Sequence, residues 1–139
     1  MKQFDFTKVL NNMNDLSSSE VLAKKIRKIS IEMVYQAKAS HIGGALSMVD
    51  ILAVLYNRIL KYNPSDPLNV DRDRFLLSKG HACSSLYATL ALVGFMPLEH
   101  LKSYAQNGSN LLSHTSHHIS GIEVSAGSLG HALPVSCGL

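Results

Sequence analysis

Four histidines stand beside glycines or in polar stretches, at the ends of predicted elements. They are His41, His81, His114 and His131. Imidazole titrates near neutral pH, so such a group can both accept and donate a proton in a reaction. Histidines at the ends of elements suit a cleft better than a core, and we therefore predict a shared site. Four unrelated surface histidines are an alternative that the spacing alone leaves open.

A second group of histidines lacks the additional ligands that a metal site would need. His114, His117 and His118 lie close together in the sequence, within a polar stretch. No cysteine or carboxylate follows at a spacing that completes a ligand set. We therefore predict no metal ligands in this chain.

A glycine-rich loop, residues 121–131 (GIEVSAGSLGH), leads into an apolar tail that resembles a helix start. Glycine allows the backbone to come close to a ligand. The first N–H groups of a helix are free to bind an anionic or polar group. An ordinary turn before a surface helix is the alternative, because isolated glycine patterns are weak signals.

Helical patterns account for most of the chain that must position these residues. A capping box at 17–20 predicts a helix whose buried stripe contains Leu22, Ile26, Ile29 and Met33. A second box at 47–50 predicts a helix that runs to Leu60. Since that helix is apolar on nearly every side, we expect it to be buried between layers.

Further helices are predicted over 86–93, closed by Gly94, over 97–105, and from His131 onward with Pro134 in the first turn. Residues 72–78 (RDRFLLS) precede a Lys-Gly-His turn and favour a buried parallel strand. A single strand cannot form a sheet. The predicted fold class is therefore α/β, with residues 1–16 as a polar lead-in and 17–139 as the leading part of a helix-rich unit.

Composition excludes several classes of protein. The chain is 46% hydrophobic and 17% charged with a net charge of +3, which is typical of a globular domain. The basic run 24–28 falls at helical spacing and is best explained as a solvated helix face, so we expect no nucleic-acid partner. No apolar run is long enough for a membrane span, and because the first residues include an early acid and no hydrophobic segment, we expect no signal peptide. Cys83 and Cys137 are expected to be reduced, buried thiols of a cytoplasmic protein.

Four sequence blocks together resemble one family. They are residues 40–47 (SHIGGALS), 73–82 (DRFLLSKGHA), 108–114 (GSNLLSH) and 121–130 (GIEVSAGSLG). In order and approximate spacing they are similar to the N-terminal, diphosphate-binding part of transketolase, over about residues 20–139. Each block alone is a weak signal, and the set is specific.

The resemblance implies a function and a set of site residues. Transketolases use thiamine diphosphate and a divalent cation such as Mg²⁺ to move a two-carbon ketol unit between sugar phosphates. By resemblance, Gly127, Ser128 and Leu129 lie against the cofactor's pyrimidine, with Leu129 as an apolar wedge. His81 corresponds to a histidine near the diphosphate. His41 and His114 correspond to histidines that exchange protons with the donor sugar.

The sequence departs from the family pattern at several places. Ile42 and Gly43 replace a common proline-glycine pair, and His131 and Ala132 replace a common glutamine and glycine. Residues 117–120 replace a more basic segment, which is expected to alter recognition of a phosphorylated acceptor.

The family's metal-binding Gly-Asp-Gly motif does not occur before Leu139. We therefore expect the cation ligands, and the glutamate that activates the pyrimidine, to come from a further transketolase domain or subunit. The expected assembly is a homodimer or heterotetramer, and the isolated chain is expected to be inactive and poorly soluble. Two alternatives stay open: a truncated, non-catalytic binding module, and another thiamine diphosphate enzyme such as a deoxyxylulose-phosphate synthase.

Overall fold

Helix α1, Ser19–Gln36, is the longest helix of the computed structural model, which describes residues 18–139. The predicted lead-in lies outside the described residues, as does Ser17. The hydroxyl of Ser18 caps the helix by accepting the N–H of Val21 at 3.2 Å. The helix therefore begins one residue later than the capping box indicated. Glu20 remains in the first turn, where its charge stabilises the helix dipole.

The predicted stripe of α1 forms its buried face. Leu22, Ile26, Ile29 and Met33 are each no more than 2% exposed. Lys24 and Lys28 are exposed on the other side, as expected for a solvated face. The period of the apolar residues therefore predicted this helix and its orientation correctly.

Two short helices follow a tight end to α1. Lys38 adopts a left-handed backbone, and the N–H of Ala39 returns to the carbonyl of Val34, which closes α1. Helix α2, Ile42–Leu46, then occupies a stretch for which no helix was predicted. Helix α3, Val49–Val54, continues as a π-helical turn over Leu55–Ile59.

The burial predicted for the second long helix is wrong. Ile51 is 59% exposed and Ile59 is 58% exposed, because only one face of this element packs on the core. Its predicted capping box is also absent. The hydroxyl of Ser47 donates to the carbonyl of Gly44 at 2.8 Å, and Met48 occupies the N-cap without a side-chain hydrogen bond.

Helix α4, Cys83–Leu92, is the central element, and all ten of its residues are buried. Both α1 and α3 pack against it. Its polar residues are compatible with burial because their hydroxyls bond to its own backbone: Ser85 donates to Ala82 and Thr89 donates to Ser85. Gly94 follows with φ of +98°, as predicted for a residue beyond a helix end.

The predicted parallel strand is not confirmed. Residues 18–139 contain no assigned strand, although the α/β relationship itself is supported by the structures compared below. Residues 73–78 form neither helix nor ladder, because a strand needs a neighbour to pair its backbone groups and this part of the chain supplies none. One backbone bond, from Asp73 to Lys61 at 2.8 Å, anchors the start of the segment.

The remainder of the described chain is mostly irregular. A 3₁₀ helix spans Leu98–Ser103, and α5 spans Ala132–Ser136 with Pro134 in its first turn, as predicted. Cys83 is a buried free thiol, but Cys137 is exposed, so its predicted burial is wrong. Over residues 18–139, no helix has the length and apolarity that crossing a membrane requires.

Candidate functional site

Three of the four singled-out histidines converge. The ring centroids of His41 and His81 are 5.3 Å apart, and those of His41 and His114 are 5.7 Å apart. Each ring comes from a different segment: the start of α2, the turn before α4, and the loop after the 3₁₀ helix. We call these residues the histidine triad. His131 lies exposed at the start of α5, and the ring contacts of the described chain do not join it to the triad.

Helix α2 makes room for the triad through a glycine. A Cβ atom at Gly44 would lie 2.9 Å from Nε2 of His81, closer than real Cβ contacts come. The absence of a side chain at position 44 therefore lets α2 approach the His81 ring. Glycine is needed here for this close approach.

The pKa of His81 is lowered below its ordinary value of 6.5. Partial burial is the largest cause, followed by electrostatic interactions with His41, His114 and Lys79. The lowered pKa favours the neutral form of His81. A neutral imidazole can accept a proton on one nitrogen while it donates a hydrogen bond from the other.

His41 has an unusual backbone for its residue type. Its φ is +69°, in the left-handed region, where residues with a Cβ are uncommon. The carbonyl of His41 accepts the N–H of Ala45 at 3.4 Å, which begins α2. His41 is the exposed member of the triad, and its backbone at the start of α2 is strained.

A buried tyrosine supports His114 from beneath. The hydroxyl of Tyr87, on α4, donates to the carbonyl of His114 at 2.8 Å. Tyr87 is fully buried, and burial raises the pKa of its hydroxyl, so it remains a neutral donor. Its ring meets that of Tyr104 edge-on, with centroids 6.2 Å apart. Tyr87 lies in the helix predicted over 86–93, but its contact with His114 was not predicted.

Replacing Tyr87 with phenylalanine is expected to lower the free energy of unfolding by about 1–2 kcal/mol, because the partly buried carbonyl of His114 loses its donor. Tyr104→Phe is the matched control. Tyr104 is also buried, but its hydroxyl makes only a 3.9 Å contact with the sulfur of Cys83, so a smaller loss is expected. Denaturant titration of both variants gives the comparison. Equal losses would mean that the bond to His114 contributes nothing specific.

The glycine-rich loop passes directly against the turn that carries His81. A Cβ atom at Gly80 would lie 1.7 Å from the carbonyl oxygen of Ala126, so no side chain fits there. Thr115 connects both segments: its N–H donates to Gly80 at 3.2 Å, and its hydroxyl accepts the N–H of Ala126 at 3.0 Å. Thr115 and Ala126 also form an isolated antiparallel bridge. The loop is therefore joined through Ala126 and Thr115 to the turn that carries His81.

Residues 127–129, which are predicted to contact a cofactor, are exposed to solvent. A Cβ atom added at Gly127 would have no other atom within 4 Å, and the side chain of Leu129 is 70% exposed. An apolar side chain exposed to solvent is suited to cover a flat organic ring. Ala126, the residue before this stretch, contacts the turn that carries His81 through Gly80 and Thr115, and neither Ala126 nor Thr115 was predicted as a site residue.

An ion pair fixes the start of the same loop. Oε1 of Glu123 lies 2.6 Å from Nη2 of Arg72, with both side chains largely buried, and Oε2 lies 3.5 Å from Nε of Arg74. The shorter contact is an electrostatic one, since Oε1 is not aligned with a hydrogen-bond donor. Arg72 is further held by a bond from its Nε to the carbonyl of Pro67 at 2.6 Å.

The other histidine pair forms a separate surface feature. The rings of His117 and His118 are in contact, with centroids 4.0 Å apart and planes tilted by 41°, and Nδ1 of His117 lies 2.8 Å from the hydroxyl of Ser125. Both side chains are exposed. Among residues 18–139, no group of three or more histidines, cysteines and carboxylates is arranged to hold a metal ion.

The chain is similar in sequence to known proteins of one family. Residues 18–139 match the family model described as transketolase, thiamine diphosphate binding domain. The chain is 43% identical over 120 residues to one subunit of the apulose-4-phosphate transketolase of Phocaeicola vulgatus, covering 86% of this chain and 43% of the relative. It is 43% identical over 124 residues to transketolase 2 of Escherichia coli, covering 88% of this chain and 19% of the relative.

Solved structures agree with these sequence matches. Transketolase from Leishmania mexicana superposes with a TM-score of 0.82 at 36% identity, covering 87% of this chain and 18% of that one. The chain therefore spans less than half the length of the relatives that it matches.

Proposed function

Because the chain belongs to the transketolase family, within its thiamine diphosphate-binding domain, we propose that it serves in the transfer of a two-carbon ketol unit between sugar phosphates. The observation that carries this proposal is the convergence of His41, His81 and His114 beside the contact between Gly80 and Ala126. A set of imidazoles next to an open glycine-rich loop provides both proton exchange and a surface for a cofactor.

The exposed loop suits thiamine diphosphate. The open space at Gly127 admits a ring close to the backbone, and the exposed side chain of Leu129 offers an apolar surface to it. We assign contact with the pyrimidine to Gly127, Ser128 and Leu129. When bound, the cofactor supplies the nucleophilic carbon that attacks the donor carbonyl.

The triad residues have distinct roles in this proposal. Neutral His81 donates a hydrogen bond to the diphosphate side of the cofactor, a role that its lowered pKa and partial burial support. His41 and His114 face the sugar, where one removes a proton from a donor hydroxyl as the carbon–carbon bond breaks. The adjacent rings of His117 and His118 lie on the exposed surface, where we propose that they contribute to acceptor recognition.

The rest of the site comes from other parts of the enzyme. We propose that the ligands for Mg²⁺, or another divalent cation, lie outside the described residues. A C-terminal transketolase domain or subunit completes the cleft in a homodimer or heterotetramer, and residues 73–78 pair there as a parallel strand. One relative is named as a subunit, which supports a divided enzyme. We assign the assembly to the cytoplasm.

Two measurements test the function on the complete protein, meaning this chain together with its further domain or subunit. Transfer of a two-carbon unit from a ketose phosphate to an aldose phosphate is expected to require both thiamine diphosphate and Mg²⁺. Calorimetry is expected to show Mg²⁺-dependent binding of the cofactor by the complete protein and negligible binding by residues 1–139 alone. Absence of cofactor binding by the complete protein would overturn the proposal, and tight binding by the isolated chain would overturn the assignment of the metal ligands.

A further inference from the structure

A lysine connects two segments of the histidine triad. The ammonium group of Lys79 donates to the hydroxyl of Ser47 at 2.7 Å and to the carbonyl of Gly44 at 3.2 Å. The hydroxyl of Ser47 donates in turn to the same carbonyl at 2.8 Å. Three polar groups therefore close a small network between α2 and the turn before α4.

The position of this network is informative. Gly44 lies in α2, the helix that begins directly after His41, and Lys79 is two residues before His81. Gly44 is also the residue whose missing side chain accommodates the His81 ring. A connection at this point controls how closely the helix approaches the ring.

The hydrogen bonds of Lys79 to Gly44 and Ser47 are charge-assisted and join distant parts of the chain. Lys79 is partly buried, and a charged donor to a carbonyl and a hydroxyl forms stronger hydrogen bonds than neutral groups do. Because 35 residues separate Lys79 from Gly44, the contact joins distant parts of the chain and is not a by-product of local geometry.

We propose that Lys79 is a positioning residue, which holds α2 against the His81 turn and thereby sets the arrangement of His41 and His81. This role rests on the proposed function, because it concerns the same site. Lys79 acts through the backbone of α2 and through its charge, and it has no part in proton transfer itself.

The charge of Lys79 gives the proposal an independent signature. The charged or titratable groups that face His81 are His41, His114 and Lys79, and each of them disfavours protonation of His81. Removing the lysine charge relieves one of these effects. Burial and the two histidines still lower the pKa, so His81 is expected to move only part of the way back toward its ordinary value.

The central experiment compares three variants of the complete protein. Lys79→Met is expected to lower kcat about 10-fold, since a small displacement of catalytic groups is costly, and to move the acidic limb of the pH profile to higher pH. Lys79→Arg keeps a charge and donors, and most activity is expected to remain. Ser47→Ala removes one acceptor but retains the charge, so kcat should fall modestly with the acidic limb unmoved.

A histidine titration followed by NMR separates this role from the function of the enzyme. The pKa of His81 is expected to rise in Lys79→Met and to stay constant in Ser47→Ala and in the control Lys24→Met, on the exposed face of α1. An unchanged His81 pKa together with wild-type kcat in Lys79→Met would overturn the proposal. So would a Lys79→Arg variant as impaired as Lys79→Met, and this comparison decides the matter if the methionine variant does not fold. If the His81 pKa rises in Lys79→Met but the unmodified complete protein has no transfer activity, the proposed function is contradicted and the role of Lys79 is not.

Discussion

Replacing His81 with alanine in the complete protein is expected to lower turnover by more than ~10²-fold, the range typical of a lost proton-transfer or hydrogen-bonding group. Burial and the neighbouring side chains of His41, His114 and Lys79 lower the pKa of His81 and so favour its neutral form. Alanine removes both ring nitrogens while leaving the space at Gly44 unfilled. The same loss is expected for His114→Ala. Steady-state kinetics with saturating cofactor gives kcat directly.

Two comparisons make the result interpretable. His100→Ala, in the Leu98–Ser103 helix and outside the triad, is expected to keep near-normal turnover. His81→Gln retains a hydrogen-bond donor but cannot titrate, so partial activity there would assign His81 to binding and not to proton transfer. Near-normal turnover in both alanine variants would assign the triad to packing.

The second large effect is expected at Gly80. Adding a methyl group as Gly80→Ala is expected to lower the free energy of unfolding by about 3 kcal/mol or more, at the upper end of overpacking effects. The added carbon would lie 1.7 Å from the carbonyl oxygen of Ala126, and a backbone atom cannot move aside as a flexible side chain does. The loop and the His81 turn would have to separate. Denaturant titration measures the loss, and cofactor binding should weaken in parallel.

Gly43→Ala is the matched control for this change. The position lies inside α2, without a positive φ and with nothing within 4 Å of the added carbon. Since alanine is the better helix former, stability should rise by about 0.5–1 kcal/mol. If Gly80→Ala is as stable as the parent protein, the close approach between Gly80 and Ala126 does not hold the loop in solution.

Local patterns predicted those helices whose burial follows from periodicity. The stripe from Leu22 to Met33 is buried because helical spacing alone places those residues on one face. The end of α4 before Gly94 was also predicted correctly, because a left-handed residue after a helix has a strong residue preference.

Which helix occupies the centre was not predictable in the same way. The stretch around Ile51 is more uniformly apolar, yet Ile51 is exposed and the serine-containing α4 is buried on every side. Small residues allow neighbouring helices to approach closely, and hydroxyls bonded to their own helix carry no unsatisfied group into the core. These are properties of the packed structure.

Some residues of the candidate site were predicted from the sequence and others were not. His41, His81 and His114 were identified by residue type and by resemblance, and the structure brings them together. Lys79 and Tyr87 were missed because their contacts reach across distant segments, to Gly44 and to the carbonyl of His114. The strand expected over 72–78 would need neighbouring strands to pair with, and residues 18–139 contain none, so a local pattern could not settle it.

The left-handed backbone of His41 has a consequence for reading mutational libraries of this protein. At φ of +69°, most replacements combine loss of the imidazole with torsional strain, so a poor score at position 41 mixes two causes. Asparagine, aspartate and glycine tolerate that conformation best. Only those three substitutions report cleanly on the ring, and a ranking averaged over all nineteen would overstate its chemical contribution.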